Sequence, residues 1–106
     1  MKELYADDIV SVEASPRPNG SLETLGKGPV LEKSGGWAGA HEIHGATTEG
    51  PFLLQDRFAV KFVFEVTPKA TGKRVTLHEI AVYTVANGKI TREEFFYGQN
   101  AESLAR

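Results

Sequence analysis

Cysteine is absent from this chain of 106 residues, and it has neither a long apolar run nor a cluster of basic residues. Without a thiol the protein forms no disulfide, uses no cysteine nucleophile and builds no thiolate metal site. Its twelve lysines and arginines are scattered and the net charge is -2, so we expect no nucleic-acid partner. No apolar stretch is long enough to cross a bilayer and no signal peptide opens the sequence. We therefore expect no membrane partner and a cytoplasmic location.

What is present is the composition of an ordinary globular domain, with 41% hydrophobic and 25% charged residues. A chain of this length buries roughly 60–70% of its unfolded surface, which is enough for one core and one pocket. No internal repeat or linker divides the sequence. We therefore expect a single domain over residues 1–106.

The most informative stretch is residues 4–13, which read LYADDIVSVE. They predict the end of a helix that runs into a strand over Ile9–Glu13, with Asp7 and Asp8 at the turn between them. The strand finishes on a carboxylate among apolar neighbours. Burying an ionised carboxylate is costly unless it is paired or neutralised, so Glu13 is the first candidate for a functional role.

A helix is predicted after a loop at residues 15–21, which contains two prolines. Pro29 suits the first turn of that helix, which would carry Trp37 near its end. The pair Gly35-Gly36 lowers the helix propensity, so we expect a helix that is short or broken at that point.

From residue 41 onward the sequence alternates between strands and turns, which predicts strands over 41–49, 56–67, 74–85 and 90–97. The first is expected to end at Gly50-Pro51, and Asn87-Gly88 is a strong signal for a tight hairpin between the last two. The second strand has the clearest period of two. Its apolar side chains share one face, namely Phe58, Val60, Phe62, Phe64 and Val66. The predicted fold class is α+β, with a long, twisted antiparallel sheet and one or more helices at its N-terminal side.

The order of these motifs resembles the SnoaL-like branch of the nuclear transport factor 2-like superfamily, which includes ketosteroid isomerases and polyketide cyclases. The matching features are LYADDIVSVE, a short helix, a strand closed by Gly50-Pro51, and NGKITREEFFY near the end. The resemblance covers residues 4–97. It implies a cone-shaped, cystatin-like curved antiparallel sheet packed on N-terminal helices, with a pocket inside.

The resemblance also implies a homodimer formed through the outer face of the sheet. The family's opening helical hairpin is not fully matched here, so the domain is expected to be N-terminally short. Either the segment lies outside this sequence or a partner subunit completes the cone. An open cone would expose an apolar face, which usually marks a site of association.

Ketosteroid isomerases use an Asp base and an oxyanion hole made of a Tyr and a protonated Asp. By ungapped spacing from Tyr5, the resemblance places Glu13 at the position of the base, where a glutamate can abstract a proton next to a carbonyl. The second acid falls near Ile80 or Ala81, and neither is acidic. The isomerase's oxyanion hole is therefore not reproduced.

Three further residues complete the catalytic candidates, namely His44, Glu79 and Glu93. Counting back from Gly50-Pro51 places His44 on the family's inward face, and a histidine between carboxylates can shuttle a proton near neutral pH. Glu93 and Glu94 alternate, so at most one of them faces inward. A shift of one residue would exchange Glu79 with His78. Glu13 and His44 also have structural alternatives, in which Glu13 pairs with His44 or Arg57 and His44 is a satisfied structural histidine.

The expected ligand-binding residues are the inward apolar side chains Trp37, Phe58, Val60, Phe62, Phe64, Phe95 and Tyr97, although the same residues would also form the core. We expect no metal or other cofactor. His41 and His44 are three apart on a strand and so point to opposite faces. Gly26-Lys-Gly28 lacks the spacing of a phosphate loop.

Three functions are compatible with this pattern. The first is an isomerase or cyclase in which Glu13 acts as base on a small hydrophobic carbonyl compound. The second is a pocket that binds such a molecule without catalysis, and the third is a dimeric structural module. An enzyme would bury Glu13 beside another titratable group and next to a reachable cavity. A binding module would have the cavity without the inward carboxylates. A structural module would have a cone filled by its own side chains.

Overall fold

A computed structural model describes residues 2–14 and 22–97 and contains one α-helix packed against an open, six-stranded sheet. The predicted loop at 15–21 and the polar tail after residue 97 lie outside the described residues. Following a 3-10 turn at Lys2–Leu4, the elements are β1 (Tyr5–Val12), β2 (Glu23–Leu25), α1 (Lys27–Ala40), β3 (His41–Leu54), β4 (Arg57–Pro68), β5 (Val75–Ala86) and β6 (Lys89–Tyr97). The predicted α+β class is confirmed.

The strands lie in the order β2-β1-β6-β5-β4-β3. Strands β3 to β6 form consecutive antiparallel pairs, whereas β1 runs parallel to β6. The sheet is therefore mixed rather than wholly antiparallel as expected. Hairpin turns impose antiparallel pairing on consecutive strands, but β1 and β6 are joined through the helix and the rest of the sheet, so no turn sets their relative direction.

The side of the sheet that packs against α1 is called the inner face. On β5, burial alternates along Leu77, Glu79, Ala81 and Tyr83. Glu79 thus points inward while Ile80 is exposed, which settles the orientation that the sequence left open. The hairpin at Asn87-Gly88 has positive φ angles of 53° and 74°, as a type I′ turn requires.

Helix α1 runs without a break through Gly35-Gly36, contrary to the expectation of a short or broken helix. Its buried residues are Val30, Lys33 and Trp37, which lie three and four positions apart and form one stripe facing the sheet. Tertiary packing of such a stripe outweighs the roughly 1 kcal/mol by which each glycine disfavours a helix.

The short strand β2 was not expected, and strand boundaries differ from expectation by more than one residue at two places. β1 begins at Tyr5 rather than Ile9, and its pairing with β6 is irregular between Tyr5 and Val10. β3 continues past Gly50-Pro51 to Leu54, with a shift of register between Glu49 and Phe52. A proline is tolerated there because β3 is the edge strand and the irregularity removes the need for its missing N–H.

Buried apolar residues in the described part of the chain form two clusters. The main cluster joins β1, α1 and the middle of the sheet through Tyr5, Ile9, Val30, Ala81, Tyr83, Ile90 and Phe95. The Trp37 cluster lies under the C-terminal half of α1 and contains Trp37, Val66 and Leu77. Both clusters lie on the inner face.

Candidate functional site

Three of the four candidate catalytic residues are buried carboxylates on the inner face. Glu13, Glu79 and Glu93 are 2%, 2% and 1% exposed. Buried acids are rare unless they are paired or hydrogen-bonded, so their partners decide what they can do.

Glu13 follows directly after β1, and its backbone N–H donates to the carbonyl of Leu22 at 2.9 Å. Its carboxylate accepts a hydrogen bond from Lys33 Nζ at 2.8 Å on Oε1 and one from the Tyr97 hydroxyl at 3.2 Å on Oε2. The side chains of Lys33 and Glu13 are only 4% and 0% exposed. They therefore form a buried ion pair, with a phenol on its second oxygen.

Lys33 reaches Glu13 because it lies on the buried stripe of α1, one turn after Val30 and one turn before Trp37. Its ammonium also lies 5.3 Å from the centroid of the Phe95 ring, within the range of a cation–π contact. Sequence analysis missed this residue. A lysine three positions after Val30 and four before Trp37 on an apolar stripe is the signal that could have identified it.

Glu93 forms a second, separate polar group with β1. The Tyr5 hydroxyl donates to its Oε2 at 2.6 Å, and the Ser11 hydroxyl donates to Oε1 at 2.8 Å. The parallel pairing of β1 and β6 places Ser11 directly beside Glu93. Because β1 is the first strand along the chain and β6 the last, local sequence patterns did not identify Tyr5 or Ser11 as partners of Glu93.

Glu79 lies between the two ends of a cross-strand row on the inner face. Its neighbour on β4 is Phe62, and its neighbour on β6 is Tyr97. The row therefore runs from an apolar aromatic residue to the phenol that contacts Glu13.

His44 is exposed, and the expectation that it faces inward is wrong. Its Nε2 lies 2.7 Å from the Thr67 hydroxyl. Counting back by simple alternation failed because β3 shifts register twice, between Ile43 and Gly45 and between Glu49 and Phe52.

The exposed carboxylate near His44 is Glu65. Its pKa is lowered, mainly by a hydrogen bond from the Thr76 hydroxyl and further by Arg74 and by His44. The Thr76 contact is 2.6 Å long. His44 thus takes part in an electrostatic group at the surface rather than in the buried carboxylate groups.

Trp37 and Phe64, two of the expected ligand-binding residues, belong to the Trp37 cluster of the core. The Trp37 ring stacks on His41 with 4.4 Å between centroids and packs against Phe64 at 5.5 Å. Phe95 is buried in the main cluster, and Tyr97 packs against both clusters.

The remaining three expected ligand-binding residues, Phe58, Val60 and Phe62, line an open cavity of about 320 Å³. Phe58 stacks on Tyr83, with ring centroids 4.9 Å apart. The other described residues in its walls are Leu4, Thr48, Gly50, Pro51, Tyr83 and Ile90, and none of the described wall residues is acidic or basic.

Among residues 2–14 and 22–97, no group of three histidine, aspartate or glutamate side chains is placed to hold a metal ion. In the same part of the chain, no helix is long and apolar enough to span a membrane.

The open mixed sheet, the single helix across it and the polar groups on its inner face define an α+β protein of the cone type. The model of the SnoaL-like domain family matches residues 1–97. The chain belongs to this family, and the predicted resemblance is confirmed. No curated protein compared with the chain matches it.

Solved structures with the same fold agree with this membership. A candidate SnoaL-like polyketide cyclase from Mesorhizobium loti is 50% identical, with a TM-score of 0.84 over 91% of this chain and 81% of that one. A protein with a ketosteroid isomerase-like fold from Catenulispora acidiphila, solved with trimethylamine, is 16% identical, with a TM-score of 0.77 over 99% of this chain and 80% of that one. TerC, co-crystallised with polyporic acid, is 21% identical, with a TM-score of 0.71 over 96% and 79%.

Proposed function

We propose that the inner-face cavity binds a small hydrophobic carbonyl compound and that Glu13 acts on it as a carboxylate base, in the manner of an isomerase or cyclase. The observation that carries the proposal is an apolar cavity and a buried carboxylate on one face of one sheet. The cavity supplies affinity through apolar burial, and the carboxylate supplies a group able to accept a proton.

Support for binding comes from the walls of the cavity. They are aromatic and aliphatic, with the side chains of Phe58, Val60 and Phe62 only partly buried. A volume of about 320 Å³ lies at the lower end of the range typical for small-molecule sites, which is roughly 300–1,000 Å³. The family and the structural neighbours named for cyclases and isomerases point the same way.

Binding is tested with naphthalene as an apolar probe, by the change of its fluorescence on titration with the protein. Val60→Trp fills the cavity and is expected to abolish binding. Val63→Trp is the matched control, because Val63 lies on the opposite face of β4. Equal binding by both variants would place the probe elsewhere and contradict the proposal.

Catalysis is tested with 2-tetralone, a bicyclic ketone, by following exchange of its α-protons in D2O by NMR. Glu13→Gln keeps the shape and an acceptor for Lys33, so the fold is expected to persist while exchange slows by about 10²–10⁴-fold. Glu94→Gln on the outer face of β6 is the control and is expected to change nothing. Exchange that survives Glu13→Gln would show that Glu13 is not the base.

A second candidate is a binding module without catalysis. The observation in its favour is that Glu13 and Glu93 each accept two internal hydrogen bonds, as structural carboxylates do. Naphthalene binding together with unaccelerated exchange of 2-tetralone would select this function over the enzyme.

A homodimer through the outer face of the sheet is favoured by one further observation. Ile80 and Phe96 are directly paired on that face and are 45% and 51% exposed. Large apolar side chains grouped on a surface often mark an interface. Ile80→Lys is expected to convert a dimer to a monomer in sedimentation, whereas Glu32→Lys on the exposed side of α1 should not. A wild-type chain that sediments as a monomer at high concentration would contradict the dimer.

A further inference from the structure

We propose that two copies of the chain stack the open halves of their inner faces when a hydrophobic ligand is bound, so that Leu53 of each copy closes the cavity of the other. The open half is the part of the inner face beyond α1, towards the β3–β4 hairpin, and it contains Phe58, Val60 and Phe62. The inference rests on the cavity of the proposed function, not on the role of Glu13. It gives the ligand a site that is complete only in the pair of copies.

The first observation is a large apolar side chain beside the mouth of the cavity. Leu53 pairs directly with Phe58 across the β3–β4 hairpin, and directly paired residues point to the same face of a sheet. Leu53 is 77% exposed, more than any other large hydrophobic residue in the described part of the chain. Because Phe58 lines the cavity, a projecting apolar group and an apolar recess lie side by side on the inner face.

The second observation is that this surface is self-complementary. A two-fold contact brings the same surface of two copies together, so a projection and a recess must both lie on that surface. The open half has both. Helix α1 lies over the other end of the inner face, where Trp37 packs with Val66, so the helix of one copy and the hairpin of the second cover different parts of the face.

The charge of the surface favours an apolar partner. None of the described residues in the cavity wall is acidic or basic, so stacking would bury no charge from them. Asp56 and Arg57 close the hairpin turn, are exposed, and would remain in water at the rim of the contact. A charged partner would lose hydration here without finding a counter-charge, whereas the open half of a second copy would not.

Pairing through the sheet edge is a less suitable route to association. β3 is an edge strand, but its pairing with β4 is irregular at two places and Pro51 has no backbone N–H to donate. Prolines and bulges protect an edge against the addition of a further strand. Contact between faces avoids both obstacles, and stacked sheets of this kind pack about 10 Å apart.

The area of the contact explains why it should depend on the ligand. Leu4, which also lines the cavity, is 50% exposed. Together with Leu53 and the partly buried wall residues it offers roughly 300–400 Å² of apolar surface, against about 800 Å² per partner in a standard stable interface. Two empty copies should therefore associate only weakly. A bound ligand adds its own apolar surface to the contact, so binding and association strengthen each other.

The test is made in an Ile80→Lys background, which removes the proposed contact through the outer face. The variants are I80K, I80K/L53E and I80K/L25E, and the probe is naphthalene. Leu53→Glu places a charge in the stacked surface. Leu25→Glu is the matched control, because Leu25 is 66% exposed and lies on β2 at the opposite edge of the sheet. Both leucines are exposed, so neither change should unfold the chain.

Without naphthalene, all three variants are expected to sediment as monomers. With naphthalene, I80K and I80K/L25E should sediment as dimers, and I80K/L53E should stay a monomer. In the fluorescence titration, the first two should bind naphthalene more tightly as the protein concentration rises. At the highest concentration the affinity of I80K/L53E should be about tenfold lower than that of I80K, as for the lost burial of one leucine side chain.

Three results would overturn the inference and are distinguishable. If I80K binds naphthalene with the same affinity at every protein concentration and stays a monomer, the cavity works in a single copy and the proposed pocket stands without its partner. If I80K/L53E and I80K/L25E both dimerise with naphthalene, the contact does not involve Leu53. If naphthalene binds neither the wild type nor any variant, the proposed function fails, and this inference fails with it.

Discussion

Two halves of the inner face are built from the same strands but differ in what covers them. The covered half lies under α1 and contains Val66 and Leu77 beneath Trp37, together with the pair of Lys33 and Glu13. The open half lies towards the β3–β4 hairpin and contains the cavity. In the covered half Val66 is fully buried, whereas in the open half Phe58, on the same strand and face, is only partly buried.

The difference shows that the alternation of apolar residues on β4 decides which side chains share a face, but not whether that face becomes core or pocket. Where the helix lies over the sheet, apolar side chains interdigitate and polar ones are buried in pairs. Beyond the helix the same kind of side chain keeps a free surface. The β3–β4 hairpin continues this exposure, since Phe52, Leu53 and Leu54 are 60%, 77% and 70% exposed.

The sharpest test of the comparison is to remove one aromatic ring from each half. Trp37→Ala is expected to lower the free energy of unfolding by about 3–5 kcal/mol, because it empties a packed site. Phe58→Ala should lower it by only about 1–2 kcal/mol, because part of that ring is already in contact with water. Urea denaturation measures both. Equal losses would mean that the two halves are packed alike.

The next test concerns charges. Lys33→Met leaves Glu13 buried without its cation and is expected to destabilise the fold by about 3–5 kcal/mol. Arg92→Met removes the cation of the more exposed pair with Glu94, which is 3.2 Å long, and should cost less than about 1 kcal/mol. Thermal and urea unfolding of the two variants give the comparison. A small loss for Lys33→Met would show that water reaches Glu13.

A smaller effect of opposite sign is expected on the exposed side of α1. An added Cβ at Gly36 meets no atom within 4 Å, and Gly36 lies in a regular helix. Gly36→Ala should therefore raise the free energy of unfolding by about 0.5–1 kcal/mol. Gly88→Ala is the contrasting control, because its φ of 74° is strained for alanine. Destabilisation by Gly36→Ala would mean that something covers this side of the helix.

The smallest expected effect is on the exposed carboxylate of Glu65. Thr76→Val removes the hydrogen bond that contributes most to lowering its pKa, so the pKa should rise towards its ordinary value. NMR titration of the side-chain carboxyl group measures this, with Thr91→Val as control. Because the folded pKa is depressed, the stabilising contribution of Glu65 is present above its unfolded pKa. It is lost as the pH falls through the folded pKa, and Thr76→Val should weaken this dependence.

Much of the fold was predictable, because it depends on local patterns. The period of two on β4 and the Asn87-Gly88 turn each predicted an element that the structure contains. The helix through Gly35-Gly36 was not predicted, since packing of Trp37 on the sheet opposes the local preference of glycine. The predicted inward orientation of His44 was wrong, because irregularities in β3 break the alternation from which that orientation was inferred.

The candidate site was only partly predictable for a related reason. Glu13 stood out because a carboxylate among apolar neighbours is costly without a partner. Its partners, however, come from 20 and 84 residues away along the chain. Lys33 reads in the sequence as an ordinary lysine, and only the helix stripe on which it lies gives it a buried position.

The amino-acid sequence by itself determined the strand periods, the hairpin turn, the absence of thiol chemistry and the family to which the chain belongs. These features follow from side-chain identity and from contacts over a few residues. Tertiary structure decided the parallel pairing of β1 with β6, the extent of the helix and the pairing of Glu13 with Lys33. It also decided which part of the inner face is filled and which is open. Those outcomes depend on the free energy of burying groups that are far apart in the chain, which no local pattern encodes.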